Sequence, residues 1–297
     1  MPISLDINSK NVQLTSLEKE LWPGEGITKH SLIQYYLEVA PYMLPHLENR
    51  CLVFQRFPQG INGEGFYQKN CPQGAPDWIK TVPFSHQGKT TNYIAATGPE
   101  TLAWLGNQGC LEIHPWLSTM NTPENPDFAV FDLDPAKGVE FPQICHVART
   151  LKDLLLTKGL RCYPKTSGSR GIQVYLPLQP VYSYQHVRDF CATIFEEVFQ
   201  LLPSITTLER SLSRRGKKIY LDYLQNARGK TLVAPYSPRP LPGAPVSAPL
   251  EWSEVAVANF LPATFHLKNI LSRLQQKGDL FASVLKDRQQ LRSSPAV

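Results

Sequence analysis

The sequence is organised around one stretch, Phe128-Ala129-Val130-Phe131-Asp132-Leu133-Asp134-Pro135. An apolar run of this length predicts a short buried strand, since strands commonly have about six residues. Side chains alternate across a strand, so Asp132 and Asp134 are expected on one face and Leu133 on the other. Two adjacent carboxylates repel each other, and a hard divalent cation such as Mg²⁺ or Mn²⁺ would relieve the repulsion. The alternative is a strand end whose aspartates cap the turn at Pro135.

Composition indicates a globular protein. The chain has 297 residues, 42% hydrophobic and 19% charged, which is enough for a sizeable core and excludes a disordered chain. A net charge of +5 permits a polyanionic partner without requiring one. The six cysteines include no Cys-x-x-Cys pair, which argues against zinc and favours a reducing, cytoplasmic setting. The sequence has no signal-like N-terminus and no apolar run of about 18 residues, so we expect no membrane association.

Helical and strand patterns interleave along the chain, which predicts an α/β (α+β) protein. Thr28 is the expected N-cap of a helix that continues to Leu47 with an interruption at Pro41. Further helices are predicted at 141–158 and 184–202, and strands at 52–57, 172–178, 219–224 and 231–236. We expect a single domain over residues 1–297, with a core at 12–265, a helical extension at 266–291 and a disordered tail at 292–297.

Asp222 is a candidate third carboxylate. It is the only charged residue in the apolar stretch Ile219–Leu224, where an unpaired charge is costly. Together with Asp132 and Asp134 it would complete a site for two metal ions that activate a hydroxyl and stabilise a leaving group. The alternative is a salt bridge between Asp222 and an arginine.

Two polar segments could hold phosphate. The loop Lys165–Gly171 has two glycines, two serines and two cations between a helix and a strand, which suits phosphate oxygens, although an ordinary polar turn has the same composition. The segment Asp222–Arg239 contains arginines and amides that could hold a triphosphate and a sugar, or form a solvated loop.

In this order and context, the motifs resemble the polymerase domain of bacterial ligase D, within the archaeo-eukaryotic primase superfamily. The resemblance covers roughly residues 12–265 and rests on several short strings. These strings are Leu21–Pro23, Gly26–Lys29, Leu44–Leu47, Arg56–Pro58, Phe131–Pro135, Lys165–Gly168, Leu221–Gly229, Ala234–Ser237, Arg239, Pro242–Ser247 and Trp252. The resemblance implies a primase-polymerase-like fold, in which mixed, largely antiparallel β-sheets form a catalytic cleft flanked by helices.

The resemblance also implies the roles of individual residues. Asp132, Asp134 and Asp222 would be catalytic and would bind two Mn²⁺ (or Mg²⁺) ions. The residues implied in binding the NTP or dNTP substrate are His114, Lys165, Ser167, Arg170, Gln173, Gln225 and Arg239. Members of the family usually carry a histidine at the position of Gln173, and that histidine is expected to touch the triphosphate. Glutamine can donate a hydrogen bond there but cannot become cationic.

Recognition of a DNA end is implied for a further group of residues. A lysine at a helix N-terminus opposes the helix dipole, and an anion held by Lys19, Lys29 and free helix N–H groups would resolve the conflict. The alternative is two solvated lysines. By the resemblance, Lys19, Lys29 and Ser16 would bind a DNA 5′-phosphate, and Phe66 and Tyr67 would stack on the template.

The implied function is filling gaps and extending ends at DNA double-strand breaks in non-homologous end joining, with a preference for ribonucleotides. The chain has no Lys-x-Asp-Gly ligase motif, so we expect a separate DNA ligase. The resemblance further implies a Ku-like protein as a partner and a cytoplasmic, nucleoid-associated location. Two rival functions remain open. One is a two-metal nuclease, which primer incubated with metal alone would reveal. The other is an end-binding module with weak or lost catalysis, which only Gln173 supports.

Overall fold

A computed structural model describes residues 3–86 and 88–291, so the tail predicted to be disordered, 292–297, lies outside the described residues. The strands are β1 Ile3–Ile7, β2 Lys10–Leu14, β3 Glu20–Trp22, β4 Ile27–Thr28, β5 Leu52–Arg56, β6 Phe66–Gln68, β7 Thr81–His86, β8 Lys89–Ile94, β9 Cys110–Pro115, β10 Phe128–Pro135, β11 Tyr163–Thr166, β12 Ile172–Pro177, β13 Thr206–Thr207 and β14 Ile219–Asp222. The α-helices are α1 Lys29–Leu47, α2 Pro99–Asn107, α3 Phe141–Thr157, α4 Tyr184–Leu201, α5 Trp252–Val257, α6 Ile270–Lys277 and α7 Ala282–Lys286.

Contacts within the chain divide it into two compact units. The first comprises the described residues up to Met120 together with Thr231–Ser247 and Phe265–Gln276. The second comprises Asn121–Lys230, Ala248–Thr264 and the described residues from Lys277 onward. That residues 1–297 form one domain stays a prediction.

The second unit is built on a five-stranded sheet in the order β11-β12-β10-β14-β13. The central strand β10 has the bounds expected from its sequence, Phe128–Pro135, and its neighbours β12 and β14 both run antiparallel to it. Phe131 is buried and its ring meets that of Phe195 on α4 edge to face, with the ring centroids 5.2 Å apart. One face of β10 therefore packs on a helix, and the alternation of side chains places Asp132 and Asp134 on the other face.

The first unit contains a second five-stranded sheet, in which β6, β8 and β9 all pair with β5 and β7 pairs with β8. Two hairpins, β1-β2 and β3-β4, complete its strand pairing among the described residues. Helix α1 packs on α2 in this unit. The mixed α/β class with largely antiparallel sheets is thereby confirmed.

Helix α1 begins where the sequence predicts but is not interrupted at Pro41. Thr28 is its N-cap and forms a capping box with Ser31, and the helix continues through Pro41 and Pro45 to Leu47. A proline inside a helix costs about 3 kcal/mol because it removes a hydrogen bond and crowds the preceding turn. Both prolines lie on the exposed side, where carbonyls without a helix donor can turn towards water. The buried face of the helix holds it together, and the predicted interruption is wrong.

The strand predicted at 231–236 is also wrong. Thr231 makes only an isolated bridge to Trp116, and turns follow. Tyr236 has a φ of +67°, and Pro235 has no N–H to donate to a ladder. The apolar character of this segment reflects burial in a loop, not pairing in a sheet.

No helix among residues 3–86 and 88–291 is long and apolar enough to cross a membrane.

Candidate functional site

Four polar side chains form a row across the central sheet of the second unit. The strand register pairs Lys165 with Gln173, Gln173 with Asp132, and Asp132 with Asp222. Directly opposed residues on antiparallel strands have Cβ atoms about 4.5–5.5 Å apart, so each member of the row contacts the next. The row connects β11, β12, β10 and β14 in their order across the sheet, and Asp134 stands beside it on the same face of β10.

The environment of Asp132 raises the pKa of its carboxyl to about 7. Burial is the main cause, and the negative charges of Asp222 and Asp134 add to it. A hydrogen bond from Gln173 and the charge of Lys165 act in the opposite direction. The pKa of Asp222 is also raised, mainly by burial. The site concentrates negative charge that the surrounding groups only partly offset.

Gln173 joins the Lys165 ammonium to the Asp132 carboxylate. Lys165 is completely buried and its Nζ donates to Gln173 Oε1 at 2.5 Å. Because Oε1 accepts this bond, the hydrogen bond to Asp132 comes from Nε2 of the same amide. Gln173 is only 4% exposed. The structure places it beside a catalytic candidate, and its predicted contact with the triphosphate stays a prediction.

The loop from Ser167 to Gly171 is held by the side chain of Ser167 and packs closely on β10. Ser167 Oγ accepts from the N–H groups of Ser169 and Gly171, at 3.2 and 3.1 Å. A Cβ added to Gly171 would lie 2.3 Å from the carbonyl oxygen of Leu133, so only glycine fits there. Arg170 is exposed at the tip of the loop. The loop is therefore fixed against the aspartate strand while its arginine faces outward.

A short 3₁₀ helix, Leu224–Asn226, places Gln225 against Asp222. One oxygen of Asp222 accepts from the backbone N–H of Leu224 at 2.9 Å, and the other accepts from Gln225 Nε2 at 3.1 Å. The side chain of Asn226 is buried and bonds both the N–H and the carbonyl of Val130, at 2.8 and 2.7 Å. It replaces a neighbouring strand at that point of β10, a role that the sequence analysis did not assign to it.

Arg215 is a member of the site that sequence reasoning missed. Its Nη1 lies 2.9 Å from Asp134 Oδ2, and its guanidinium lies 3.9 Å from the centroid of the Tyr220 ring. It also donates to the carbonyls of Glu209 and Arg210. The cluster of basic residues from Arg210 to Lys218 was the available signal, but nothing local shows which of them reaches an aspartate. The arginine partner considered for Asp222 is found on Asp134 instead.

A cavity of about 360 Å³ opens beside these groups. It is lined by two of the three aspartates, three cations and one amide, together with apolar and aromatic side chains: Asp134, Arg210, Leu212, Arg215, Tyr220, Asp222, Leu224, Gln225 and Lys230. Such a lining combines oxygen ligands for a cation with cationic partners for a phosphate.

The arrangement of the oxygen donors and their chemistry bear differently on a divalent ion. Among residues 3–86 and 88–291, no group of three or more histidine, cysteine, aspartate or glutamate side chains is arranged to hold an ion. The chemistry of the donors nevertheless fits, because the three carboxylates Asp132, Asp134 and Asp222 offer only oxygen, and the charges of Asp222 and Asp134 raise the pKa of Asp132. Arg215 supplies positive charge to one of them. A hard divalent cation would neutralise more of the negative charge of these carboxylates than Arg215 does.

Two other predicted nucleotide ligands, His114 and Arg239, lie in the first unit. Both contact the carboxylate of Glu112, which the sequence analysis did not single out. The ring of Tyr67 meets the His114 ring edge to face, with centroids 5.8 Å apart. The structure therefore brings these two predicted ligands together around a shared anion.

The lysines predicted to bind a 5′-phosphate are not simply solvated. Lys29 is buried and its Nζ donates to the Thr15 carbonyl at 2.9 Å, while Lys19 Nζ donates to Gln59 Oε1 at 2.5 Å. Burial lowers the pKa of Lys29, as do the charges of Lys19 and Arg56. Ser16, next to Thr15, is exposed. Cations are thus concentrated here at an energetic cost.

The prediction of free helix N–H groups at this place is wrong. The N–H groups of Lys29, His30 and Ser31 donate to the Lys19 carbonyl, the Leu17 carbonyl and Thr28 Oγ1, at 2.8, 3.0 and 3.3 Å. The preceding loop folds back over the helix end and saturates these donors, so an anion would have to be held by side chains.

Phe66 and Tyr67 are exposed, as stacking residues must be, at 44% and 61%. Successive residues on a strand point to opposite faces, and the two rings have different neighbours. Phe66 lies over the Arg56 guanidinium at 5.4 Å, whereas Tyr67 adjoins His114. The structure therefore gives the two rings different surroundings within the first unit, and their stacking on template bases stays a prediction.

The chain is similar to known proteins of one family. Residues 28–281 match the family described as LigD, primase-polymerase domain. The chain is 39% identical to the bifunctional non-homologous end joining protein LigD of Bacillus subtilis over 90% of its own length and 43% of that protein. It is 34% identical to the multifunctional LigD of Mycolicibacterium smegmatis over 94% of the chain and 36% of that protein. The chain therefore spans less than half of these relatives.

A solved structure has a fold similar to that of this chain. The polymerase domain of Mycobacterium tuberculosis ligase D in complex with DNA has a TM-score of 0.87 and 32% sequence identity to this chain. The match covers 94% of this chain and 99% of that one. The chain therefore belongs to the LigD primase-polymerase domain family, a family of nucleotidyltransferases.

Proposed function

We propose that this protein adds nucleotides to primer 3′ ends at gaps and broken DNA ends in non-homologous end joining, with a preference for ribonucleotides. The observation that carries the proposal is the row of Lys165, Gln173, Asp132 and Asp222 beside a cavity lined by both anionic and cationic groups. A carboxylate cluster next to phosphate-binding cations suits transfer of a nucleotide from a triphosphate.

Asp132, Asp134 and Asp222 would hold two divalent ions, and we propose Mn²⁺ as the preferred one, with Mg²⁺ as an alternative. When bound, such ions lower the pKa of the attacking hydroxyl and neutralise charge on the leaving pyrophosphate. The chain's own groups prepare the site. Gln173 orients Asp132, while Gln225 and the Leu224 N–H orient Asp222. The primer 3′-hydroxyl would attack the α-phosphate in line.

Cationic and polar side chains would bind the triphosphate. In the second unit these are Lys165, Ser167, Arg170, Gln173 and Gln225. His114 and Arg239, which belong to the first unit, are proposed separately as nucleotide ligands. Support comes from Arg170, which is exposed on a loop fixed against β10, and from the buried anion that holds His114 and Arg239. Arginine suits this task because its planar fork matches phosphate oxygens.

End recognition is assigned to the first unit. Lys19, Lys29 and Ser16 would bind the 5′-phosphate at the far side of a gap, and Phe66 and Tyr67 would stack on template bases. Burial, and after it the charges of Lys19 and Arg56, lower the pKa of Lys29, and a nearby phosphate would favour the charged lysine and offset these effects. The relatives carry non-homologous end joining in their names, and the related structure contains DNA. We extend the proposal to a Ku-like protein and a DNA ligase activity as partners, in the cytoplasm at the nucleoid.

A primer-extension assay tests the proposal. A gapped duplex with a labelled primer is incubated with Mn²⁺ or Mg²⁺ and with each NTP or the matching dNTP. We expect extension, faster with Mn²⁺ and with NTPs. Incubation with metal alone serves as the control, since shortening of the primer there would indicate a nuclease. Binding to the duplex without any extension would indicate an end-binding module and would contradict the proposal.

A further inference from the structure

Glu112 is a buried carboxylate between two of the proposed nucleotide ligands. It lies in the middle of β9, is 1% exposed and is flanked by the buried residues Leu111 and Ile113. Glutamate is almost never fully buried unless it is paired. Its position therefore requires partners for both carboxylate oxygens.

Both oxygens have charged or ionisable partners. Arg239 Nε donates to Oε1, and His114 Nε2 lies 2.7 Å from Oε2. Glu112 and His114 are two residues apart on one strand, so their side chains leave the same face. The Glu112 carboxylate thus contacts His114 on its own strand and Arg239, which lies 127 residues further along the chain.

The segment that carries Arg239 is anchored to β9 independently of this ion pair. Ser237 Oγ accepts from the Ile113 N–H at 3.0 Å, and the Arg239 N–H donates to the Pro245 carbonyl at 2.8 Å. The backbone of this segment is therefore held by contacts other than the ion pair. Glu112 contacts the guanidinium and the imidazole themselves.

Glu112 is ionised at neutral pH. Burial alone would raise the pKa of its carboxyl, but the hydrogen bond from His114 and the nearby charge of Arg239 hold that pKa below its ordinary value. An ionised acceptor makes shorter and stronger hydrogen bonds than a neutral one. Its two partners are consequently held more firmly than a glutamine could hold them.

The same cluster has an exposed side. Gln55 on β5 stands opposite Glu112 on one flank and opposite Tyr67 on the other. Tyr67 is 61% exposed and meets the His114 ring. From the interior outward, the cluster thus contains the buried Glu112 carboxylate, then the side chains of His114 and Arg239, and then the accessible ring of Tyr67.

We propose that Glu112 is a positioning residue for the incoming nucleotide, acting by fixing the side chains of Arg239 and His114. The inference rests on the proposed function, because it takes those two residues as nucleotide ligands. Ligands that are fixed before binding lose less conformational freedom on binding, so affinity rises. If Glu112 served only as a counter-ion for a buried arginine, its loss would lower stability without a specific effect on nucleotide affinity.

The test uses the full chain with Glu112→Gln, which keeps the shape and removes the charge. Glu100→Gln is the matched control, since Glu100 is also a buried glutamate of the first unit but lies outside the proposed site. The readouts are the Kd of a fluorescent NTP analogue, KM and kcat for NTP on a gapped duplex, Kd for that duplex, and Tm. We expect Glu112→Gln to raise the Kd and KM for nucleotide by about threefold to tenfold, with a smaller change in kcat and unchanged DNA affinity.

A double mutant separates positioning from a general loss of structure. Because Glu112 acts through Arg239 as well as His114, Glu112→Gln should cost less nucleotide affinity in an Arg239→Ala background than in the wild type, even where Tm falls. Additive losses overturn the inference. So does an unchanged nucleotide Kd in Glu112→Gln when Arg239→Ala weakens binding. Failure of the proposed function is distinguishable, because the wild-type protein would then bind nucleotide without extending primer, and the Kd series would still decide the role of Glu112.

Discussion

Asp132 lies directly opposite Asp222 in the antiparallel register of β10 and β14. Like charges that face each other across strands destabilise a sheet, and Asp134 adds a third carboxylate to the same face. Gln173 and Lys165 offset part of this repulsion at Asp132. The fold therefore retains an arrangement that is costly without a cation, which is characteristic of a functional site.

Replacing Asp132, Asp134 or Asp222 by alanine should lower the rate of nucleotide addition by at least about a hundredfold, because each removes an oxygen ligand of the proposed metal site. DNA affinity should change little, since it depends on cations that contact phosphates. Primer extension and gel-shift titration measure the two effects. Asp189→Ala, at an exposed position on α4, is the control. Full activity in any one of the three variants would exclude that aspartate from the site.

Gln173→Leu should lower the free energy of unfolding by about 1–3 kcal/mol, since it removes an acceptor of the buried Lys165 ammonium and a donor to Asp132. Gln173→His is the matched variant, because a neutral imidazole also offers one donor and one acceptor. We expect it to retain stability and to lower KM for nucleotide or raise kcat. Urea unfolding and steady-state kinetics provide the readouts. Equal stability of wild type and Gln173→Leu would show that the bridge contributes nothing.

Wild-type protein should bind and fill gaps with a downstream 5′-phosphate better than gaps with a 5′-hydroxyl. The double variant Lys19→Ala with Lys29→Ala should lose this preference, which corresponds to about 1–2 kcal/mol of binding free energy, because two charge-assisted contacts are lost. Addition to a simple primer–template should be unaffected. Competition titrations with the two duplexes measure the preference. Lys10→Ala, at an exposed position on β2, is the control. Identical treatment of both ends by the wild type would refute the assignment while leaving polymerase activity intact.

Asp287 should contribute stability only where its carboxyl is ionised. It accepts from both Arg161 and Tyr163, and the hydrogen bond from Arg161 is the main reason that its pKa lies below the ordinary value of 3.8. A lowered folded-state pKa means that the contribution is complete above 3.8 and is lost as pH falls through the folded value. Asp287→Asn should therefore lower Tm at pH 7, and the difference from wild type should shrink below pH 3.8.

Glu197→Gln is the control for this comparison, since the exposed pair of Glu197 and Lys158 should contribute little at any pH. Thermal melts from pH 2.5 to 8 would reveal the dependence. A Tm difference for Asp287→Asn that stays constant across this range would contradict the linkage.

Local sequence determined much of the fold. The bounds of β10, the N-cap at Thr28 and the helix from Phe141 all follow from patterns within a few residues, namely alternation, a capping side chain and helical periodicity. The aspartates could also be identified from local sequence, because a charged residue inside an apolar strand is unusual whichever strand lies next to it. Their roles came from resemblance to a family, and their assignment as metal ligands stays a prediction.

Tertiary structure decided which groups meet. Arg215 reaches Asp134 across 81 positions and Glu112 meets Arg239 across 127 positions, and no local pattern selects either partner. The row from Lys165 to Asp222 depends on strand register, which is set by packing of whole faces and not by the residues in the row. Pro41 is tolerated in a helix for a similar reason. The sequence by itself determined which residues carry charge and where elements begin, whereas the partner of each charge was decided by long-range packing, because contact energy depends on neighbours that the local sequence does not specify.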